Sequence, residues 1–270
     1  EELNLSLTID ENIRQLCFTR EGFLYNEFDQ IFNDTVLSNA VVYKKIIIAL
    51  AAGGPLSRTE ILKKTKLSEG GDLTDYLNNL LTAGFISREY TWSLKDRKPS
   101  KLSQFRLSDN YLRFYLRAIL PSRELIEKNL LASTTLSSFT GWNSLIGLQF
   151  ENLVINNRTL IIQQLGIDPN DIQISNPYFQ RATSKQKGCQ IDFLIQTKTN
   201  LLYACEIKFS KNLLDANIIS EMKDKLEQLD IPRGFSVAPV LIHVNGVSES
   251  VIEADYFYRI IRFEDLLIKQ

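Results

Sequence analysis

The sequence predicts an α+β fold of several domains, on three observations: apolar residues recur at helical spacing through the first half, strict alternation marks strands in the second half, and the charge changes sign between segments. At roughly 100–200 residues per domain, 270 residues make one to three domains. A hydrophobic share of 44% with 23% charged residues is the balance of a globular chain, and it excludes disordered, collagenous and disulfide-scaffold classes. The net charge of -1 conceals a partition. Residues 1–40 carry 2 basic and 8 acidic side chains, residues 41–117 carry 14 and 7, and residues 118–270 carry 15 and 17. A basic module between acidic neighbours is the footprint of phosphate contact, because Lys and Arg that neutralise phosphates release condensed counterions. A solvated basic face has the same composition.

Residues 1–40 form the first segment, a helical piece. Ile13, Leu16 and Cys17 share one face of a first short helix, and Phe23, Leu24, Phe28, Ile31 and Phe32 give a second amphipathic stretch. So short an acidic piece has little core of its own, and the chain opens on Glu1, so it is expected to be the end of something longer.

Residues 41–117 follow as helix, short helix, helix and two strands. Tyr43 to Ala52 is a helix stopped by Gly53-Gly54-Pro55. Ser57 caps the next one with Glu60 in the capping-box place, and that helix runs to about Lys66. Asp72 to Ala83 places Leu73, Tyr76, Leu77, Leu80 and Leu81 inward and ends at Gly84. Phe85 to Ser93 and Ser103 to Leu107 read as strands joined by LKDRKPSK. Three helices and a β-hairpin in this order make a winged helix-turn-helix. The third helix of such a unit enters the major groove, and the hairpin loop, with Lys95, Arg97, Lys98 and Lys101, lies against phosphates. The outer face of the third helix mixes Thr74, Asn78 and Asn79, which can read bases, with Asp72 and Asp75, which repel DNA. Units of this shape also serve as protein–protein modules.

Residues 118–140 are a helical linker. The aromatic-rich helix from Asp109 to Lys128 is interrupted at Pro121, and the Ser/Thr-rich stretch from Ser133 to Thr140 marks a boundary. Helical spacing assigns Tyr111, Phe114 and Tyr115 to packing rather than base stacking. Residues 141–270 start with a helix from about Ser144 to Gln164 and then alternate strands with a helix from about Leu213 to Leu229, a mixed α/β pattern.

Several chemistries are excluded at this point. Cys17, Cys189 and Cys205 form no Cys-x-x-Cys pair and read as buried thiols. The single histidine, His243, lies in the apolar run Val240 to Val244 and reads as a strand residue. The longest apolar run, Ile46 to Ala52, is far short of the roughly 20 residues that cross a bilayer, and a cytoplasmic location is expected. Carboxylates and lysines remain. In Gln190 to Gln196, Asp192 faces away from Ile191, Phe193 and Ile195; after the turn Thr197–Asn200, Glu206 and Lys208 face away from Cys205, Ile207 and Phe209. Side chains two apart on a strand point the same way at roughly 6.5–7 Å, so Glu206 and Lys208 converge beside Asp192 of the partner strand. Two carboxylates can hold Mg2+, whose bound water attacks phosphate, and an ammonium can stabilise the phosphoryl charge. The same three side chains also make an ordinary salt-bridged patch. Glu221-Met222-Lys223 repeats the tripeptide on a helix, where residues two apart do not share a face. Lys185 and Lys187 precede the Asp192 strand as solvated loop lysines or backbone contacts.

The order Glu151 in LQFENLV, Asp192, then Glu206-Ile207-Lys208 resembles the PD-(D/E)XK nuclease superfamily, whose fold is restriction-endonuclease-like. With YKKIIIALAAG, LTDYLNNLLTAGFISRE and FRLSDNYLRFYLR, the chain also resembles the C-terminal half of archaeal-type AAA+ ATPases, where a helical lid, a winged helix and such a nuclease-like domain follow the ATPase core. The resemblance implies that residues 1–40 are the tail of the lid. It implies Glu151, Asp192 and Glu206 as ligands of Mg2+ or Mn2+, with Lys208 as the base that faces water or phosphate. Catalysis by Asp192, Glu206 and Lys208 would be phosphodiester hydrolysis. Ile191 stands where the name-giving proline of the motif stands. Nothing matches G-x-x-x-x-G-K-[ST], so ATP binding would belong to a core outside this sequence. The implied partners are nucleic acid, DNA first, and that ATPase core, with room for an oligomer and no role for a membrane. Two rivals stay open: a catalytically inactive module that binds nucleic acid or protein and regulates the attached ATPase, and a transcription regulator.

Overall fold

The computed structural model describes residues 3–34, 40–67, 71–131, 134–184 and 186–267. Lys185, parts of the 1–40 segment, and Ser133 at the start of the Ser/Thr-rich stretch lie outside the described residues. The chain divides into two compact units, residues 1–88 with 104–148, and residues 89–103 with 149–270.

The first unit opens with α1 (Ile9–Cys17) and α2 (Phe23–Asp34). Thr8 caps α1 reciprocally: its hydroxyl accepts from the Glu11 N–H while its own N–H donates to the Glu11 carboxylate. Then come α3 (Ala40–Ala51), β1 (Leu56–Ser57), α4 (Arg58–Thr65) and α5 (Gly71–Thr82). The box expected at Ser57 and Glu60 is formed, and Lys66 ends α4 in the left-handed region at φ 55°. β2 (Ile86–Trp92) and β3 (Pro99–Leu107) make the hairpin, in a sheet of order β1-β3-β2. Ile46, Ile47 and Leu50 of α3, Ile61 of α4 and Leu73, Leu77 and Leu80 of α5 are buried in one core. Two of the cations counted in the basic segment are structural: Arg106 and Arg113 are buried, and Arg113 donates to the Gly53 and Leu107 carbonyls.

The aromatic helix starts as α6 (Asn110–Phe114) and continues through a π-helical turn, Tyr115–Ile119, and a 3₁₀ turn, Leu120–Ser122, into α7 (Arg123–Glu127). Pro121 has no N–H to close onto the preceding turn, and the Leu120 N–H reaches back five residues to the Tyr115 carbonyl. Tyr115 is buried, stacked 4.3 Å from Phe28, and the Tyr111 hydroxyl donates to the Leu24 carbonyl, so both rings pack as expected. Next come α8 (Trp142–Asn156) and α9 (Arg158–Gln164). One helix was expected here. It breaks at Asn157, whose backbone leaves the helical region at φ -109° and ψ 28° and whose side-chain amide donates to the Leu153 carbonyl.

The second unit is built on β4 (Ile172–Gln180), β5 (Cys189–Thr197), β6 (Leu201–Lys208), β7 (Ser236–His243) and β8 (Arg259–Arg262), in the order β4-β5-β6-β7-β8. β4, β5 and β6 pair antiparallel, while β6, β7 and β8 pair parallel, which makes the sheet mixed. Between β6 and β7 lies α10 (Asn217–Gln228), and between β7 and β8 lies α11 (Glu249–Glu253). α10 begins four residues after the expected Leu213, because Leu214 is used as a bridge to Val247, with bonds to Gly246 and Ser248.

Alternation along β6 and most of β5 builds two cores; in β5 it is interrupted between Ile191 and Leu194, at a register shift against β4, so Ile191, expected beside Phe193 and Ile195, lies in the core of Leu194 instead. Phe193, Ile195, Cys205 and Ile207 face Phe150, Val154 and Ile161; Leu194, Leu202 and Ala204 face Ile218 and Met222 of α10. Trp92 and Leu94 belong to the second of these cores. That is why the hairpin tip groups with 149–270, whereas the sequence places it within 41–117. β3 also starts at Pro99, four residues before the expected Ser103, since the turn is confined to residues 93–98 by bonds between Ser93 and both Arg97 and Lys98. His243 is buried at the end of β7, and burial pulls its imidazole toward the neutral form.

Candidate carboxylate and lysine site

β5 and β6 run antiparallel with Phe193 opposite Cys205, so one step further along the hairpin brings Asp192 level with Glu206. Both point to the face that α10 covers. The Asp192 carboxylate accepts from the Ile207 backbone N–H at 2.9 Å, which fixes it against β6. Glu206 is 1% exposed and holds two ammonium groups, Lys225 at 2.5 Å on one oxygen and Lys208 at 3.2 Å on the other. Lys225 also lies 3.8 Å from Asp192, and Lys208 lies 2.8 Å from Glu221.

The electrostatics follow from this crowding. Burial is the main cause that pushes the Asp192 carboxyl from 3.8 up to about 7; Glu206 and, to a smaller degree, Glu151 add to it, while Lys225 and the Ile207 N–H oppose it. For Lys208 burial works downward, but Glu221 and Glu206 outweigh it and the ammonium is held above its ordinary range. The same balance, with Asp192 and Glu206 as the partners, raises Lys225.

Asp192, Glu206 and Lys208 are therefore together, and Glu151 on α8 acts on Asp192 through its charge. Two members were missed in the sequence. Glu221 belongs to the helical Glu-x-Lys copy that has no shared face of its own, yet its carboxylate reaches Lys208. Lys225 lies four residues on, on the same helical face, and that i, i+4 spacing beside the apolar Ile218 and Met222 is the signal that was available.

The residues expected at a nucleic acid lie elsewhere. Thr74, Asn78 and Asn79 are exposed on α5, where Thr74 accepts from Arg58 and Asn79 donates to the Tyr43 hydroxyl. Lys95, Lys98 and Lys101 are exposed on the hairpin. Arg97 is different: its guanidinium donates to the Lys198 carbonyl and the Asn200 side chain, so it would have to give up two bonds to meet a phosphate. Lys187 is exposed, and its carbonyl accepts from Gln180.

Among the described residues no group of three or more His, Cys, Asp or Glu side chains is gathered as ligands of one ion. Two carboxylates, with a third raising the negative potential, already hold one cation in common. That cation is the Lys225 ammonium.

No family model matches the chain. Over 147 residues it is 28% identical to an uncharacterized protein of Methanocaldococcus jannaschii, a match that covers 54% of this chain and 30% of the relative, so the chain spans less than a third of that protein's length. Among solved structures, a repair endonuclease from Pyrococcus abyssi is similar over 41% of this chain and 43% of its own, at 17% identity and a TM-score of 0.28. A protein from Vibrio cholerae is similar over 92% of this chain and 55% of its own, at 13% identity and a TM-score of 0.34.

Proposed function

We propose that the second unit is a divalent-metal-dependent nuclease-like domain that hydrolyses phosphodiesters at Asp192, Glu206 and Lys208. The observation that carries this reading is the pairing of two carboxylates, one of them raised to about 7 by burial and by the other, at the end of a hairpin that also presents an ammonium. Asp192 and Glu206 would hold Mg2+ or Mn2+, with Glu151 contributing through its charge. When bound, the ion would acidify a water and neutralise the charge that develops on the phosphoryl oxygens. Lys208, held by Glu206 and Glu221, is a poor proton acceptor; it acts as a charged donor toward the phosphoryl group rather than as a base. The Ile207 N–H keeps the Asp192 carboxylate aimed along β6.

Along the chain, the order of α3, β1, α4, α5 and the β2–β3 hairpin supports the winged-helix reading. The sequence resemblance supports the lid tail, the attached AAA+ core and DNA as partner. A second reading, in which the nuclease-like fold is an inactive interaction module regulating that core, is favoured by one observation: both oxygens of Glu206 are occupied by lysines.

Cleavage of single- and double-stranded DNA and RNA with Mg2+ and with Mn2+ separates the two. Under the nuclease reading, Glu206→Ala reduces cleavage to background, and Lys208→Met lowers the rate by about 10²–10³-fold. Equal turnover by the wild type and both variants, or none by any of them with nucleic acid still bound, leaves the inactive module standing.

A further inference from the structure

A cleft of about 560 Å3 opens in the second unit between the hairpin tip and the end of β4. Lys95 and Lys98 line it from the tip, and Arg181 and Gln186 from the segment after β4. Both walls are tied down. Trp92 donates to the Gln196 side chain at 2.6 Å, Gln196 donates to the Leu94 carbonyl at 2.8 Å, and the Thr91 hydroxyl donates to the Phe179 carbonyl. On the opposite wall the Gln186 amide donates to the Arg181 carbonyl, and Gln180 donates to both the Lys187 and Gln228 carbonyls. Among the described residues no carboxylate lies within ion-pair distance of Lys95, Lys98 or Arg181, and Asp230 is the one acid in the lining. Three unneutralised cations around a fixed concave surface, with hydroxyls and amides between them, are suited to phosphate oxygens.

The cleft is joined to the carboxylate site through α10. Gln228, which Gln180 bonds, lies one helical turn beyond Lys225, which touches Asp192 and Glu206. A concave space of about 560 Å3 flanked by cations suits a single strand, whose backbone tracks a basic groove.

We propose that this cleft seats the phosphate backbone of a single nucleic-acid strand, with Lys95, Lys98 and Arg181 as its contacts. That the strand leads to Asp192 and Glu206 rests on the nuclease reading; the binding itself does not. Binding of fluorescein-labelled oligothymidylate, and of its duplex with oligoadenylate, is measured by anisotropy in EDTA over a salt series on the full chain. The single strand is expected to bind more tightly than the duplex. The triple variant Lys95→Ala, Lys98→Ala, Arg181→Ala should lower the slope of log K against log salt by roughly 2, from three lost contacts at about 0.7 each. These side chains are exposed, so an unchanged melting curve shows that the variant is folded. An unchanged slope, a preference for duplex, or displacement of the strand by polyglutamate as efficient as by unlabelled oligothymidylate overturns the proposal, the last in favour of an acidic protein segment. Cleavage in Mg2+ by the wild type and by Asp192→Asn separates the readings: if the two cleave equally or not at all while the binding and its loss in the triple variant persist, the nuclease reading fails and the cleft stands.

Discussion

At the residue scale the decisive feature is Lys225, an ammonium between two carboxylates of which one is almost wholly buried. Removing one partner of such a cluster leaves charge uncompensated in a poorly solvated place. Lys225→Met is expected to destabilise the metal-free protein by about 2 kcal/mol, less than a fully buried pair would give because water reaches the ammonium. Mn2+ should then stabilise the variant more than the wild type, since the ion no longer competes with a tethered cation. Melting curves with EDTA and with Mn2+ check this, and equal Mn2+ responses in the two proteins would contradict it. Asp192 adds a pH dependence with a definite sign. Its carboxyl binds its proton more tightly in the folded state, so between about pH 4 and pH 7 the folded chain holds more protons than the unfolded one. Stability therefore declines as pH rises through that window and levels off above it. In EDTA, Asp192→Asn should flatten this decline, and an identical slope in variant and wild type would show that Asp192 is not its source.

At the element scale, what was legible follows from local chemistry. The capping box at Ser57 and Glu60 needs only residues three apart, and the alternation of β6 puts Glu206 and Lys208 on one face, while Asp192 joins them across an interruption in β5 that the sequence pattern does not show. What was not legible depends on packing between distant segments. Nothing in the hairpin sequence states that Trp92 and Leu94 enter the core of a sheet about a hundred residues later, or that Arg97 is spent on Asn200. The buried Gln196 is where that link is concentrated, with both ends of its amide engaged. Gln196→Leu would leave the Trp92 N–H and the Leu94 carbonyl without these partners, at roughly 1–3 kcal/mol for each group. In a Trp142→Phe background, this change is expected to shift Trp92 fluorescence to the red and to raise the hydrogen-exchange rate of its indole N–H. Unaltered emission and exchange would mean that the tip is held by apolar contact alone.

At the scale of the whole molecule, the interleaved chain path sets what can be separated. The sequence places a boundary near residue 140, and a fragment cut at or soon after it would retain the sheet, α10, Asp192, Glu206 and Lys208. It would lack residues 89–103, which belong to that compact unit. Trp92 packs edge-on to Tyr178 at 5.0 Å and shares a core with Cys189, Ile191 and Leu194. Without the tip these residues lose an apolar cover, and β4, the edge strand of its sheet, loses the Thr91 hydroxyl bond at Phe179. Residues 149–270 alone are therefore expected to bind a hydrophobic dye and to melt without cooperativity. The full chain, or 149–270 with the 89–103 hairpin fused through a designed linker, should melt cooperatively. Circular dichroism and dye binding on the three proteins test this directly. A cooperative, dye-free 149–270 fragment would show that the tip is an accessory to the fold of this unit.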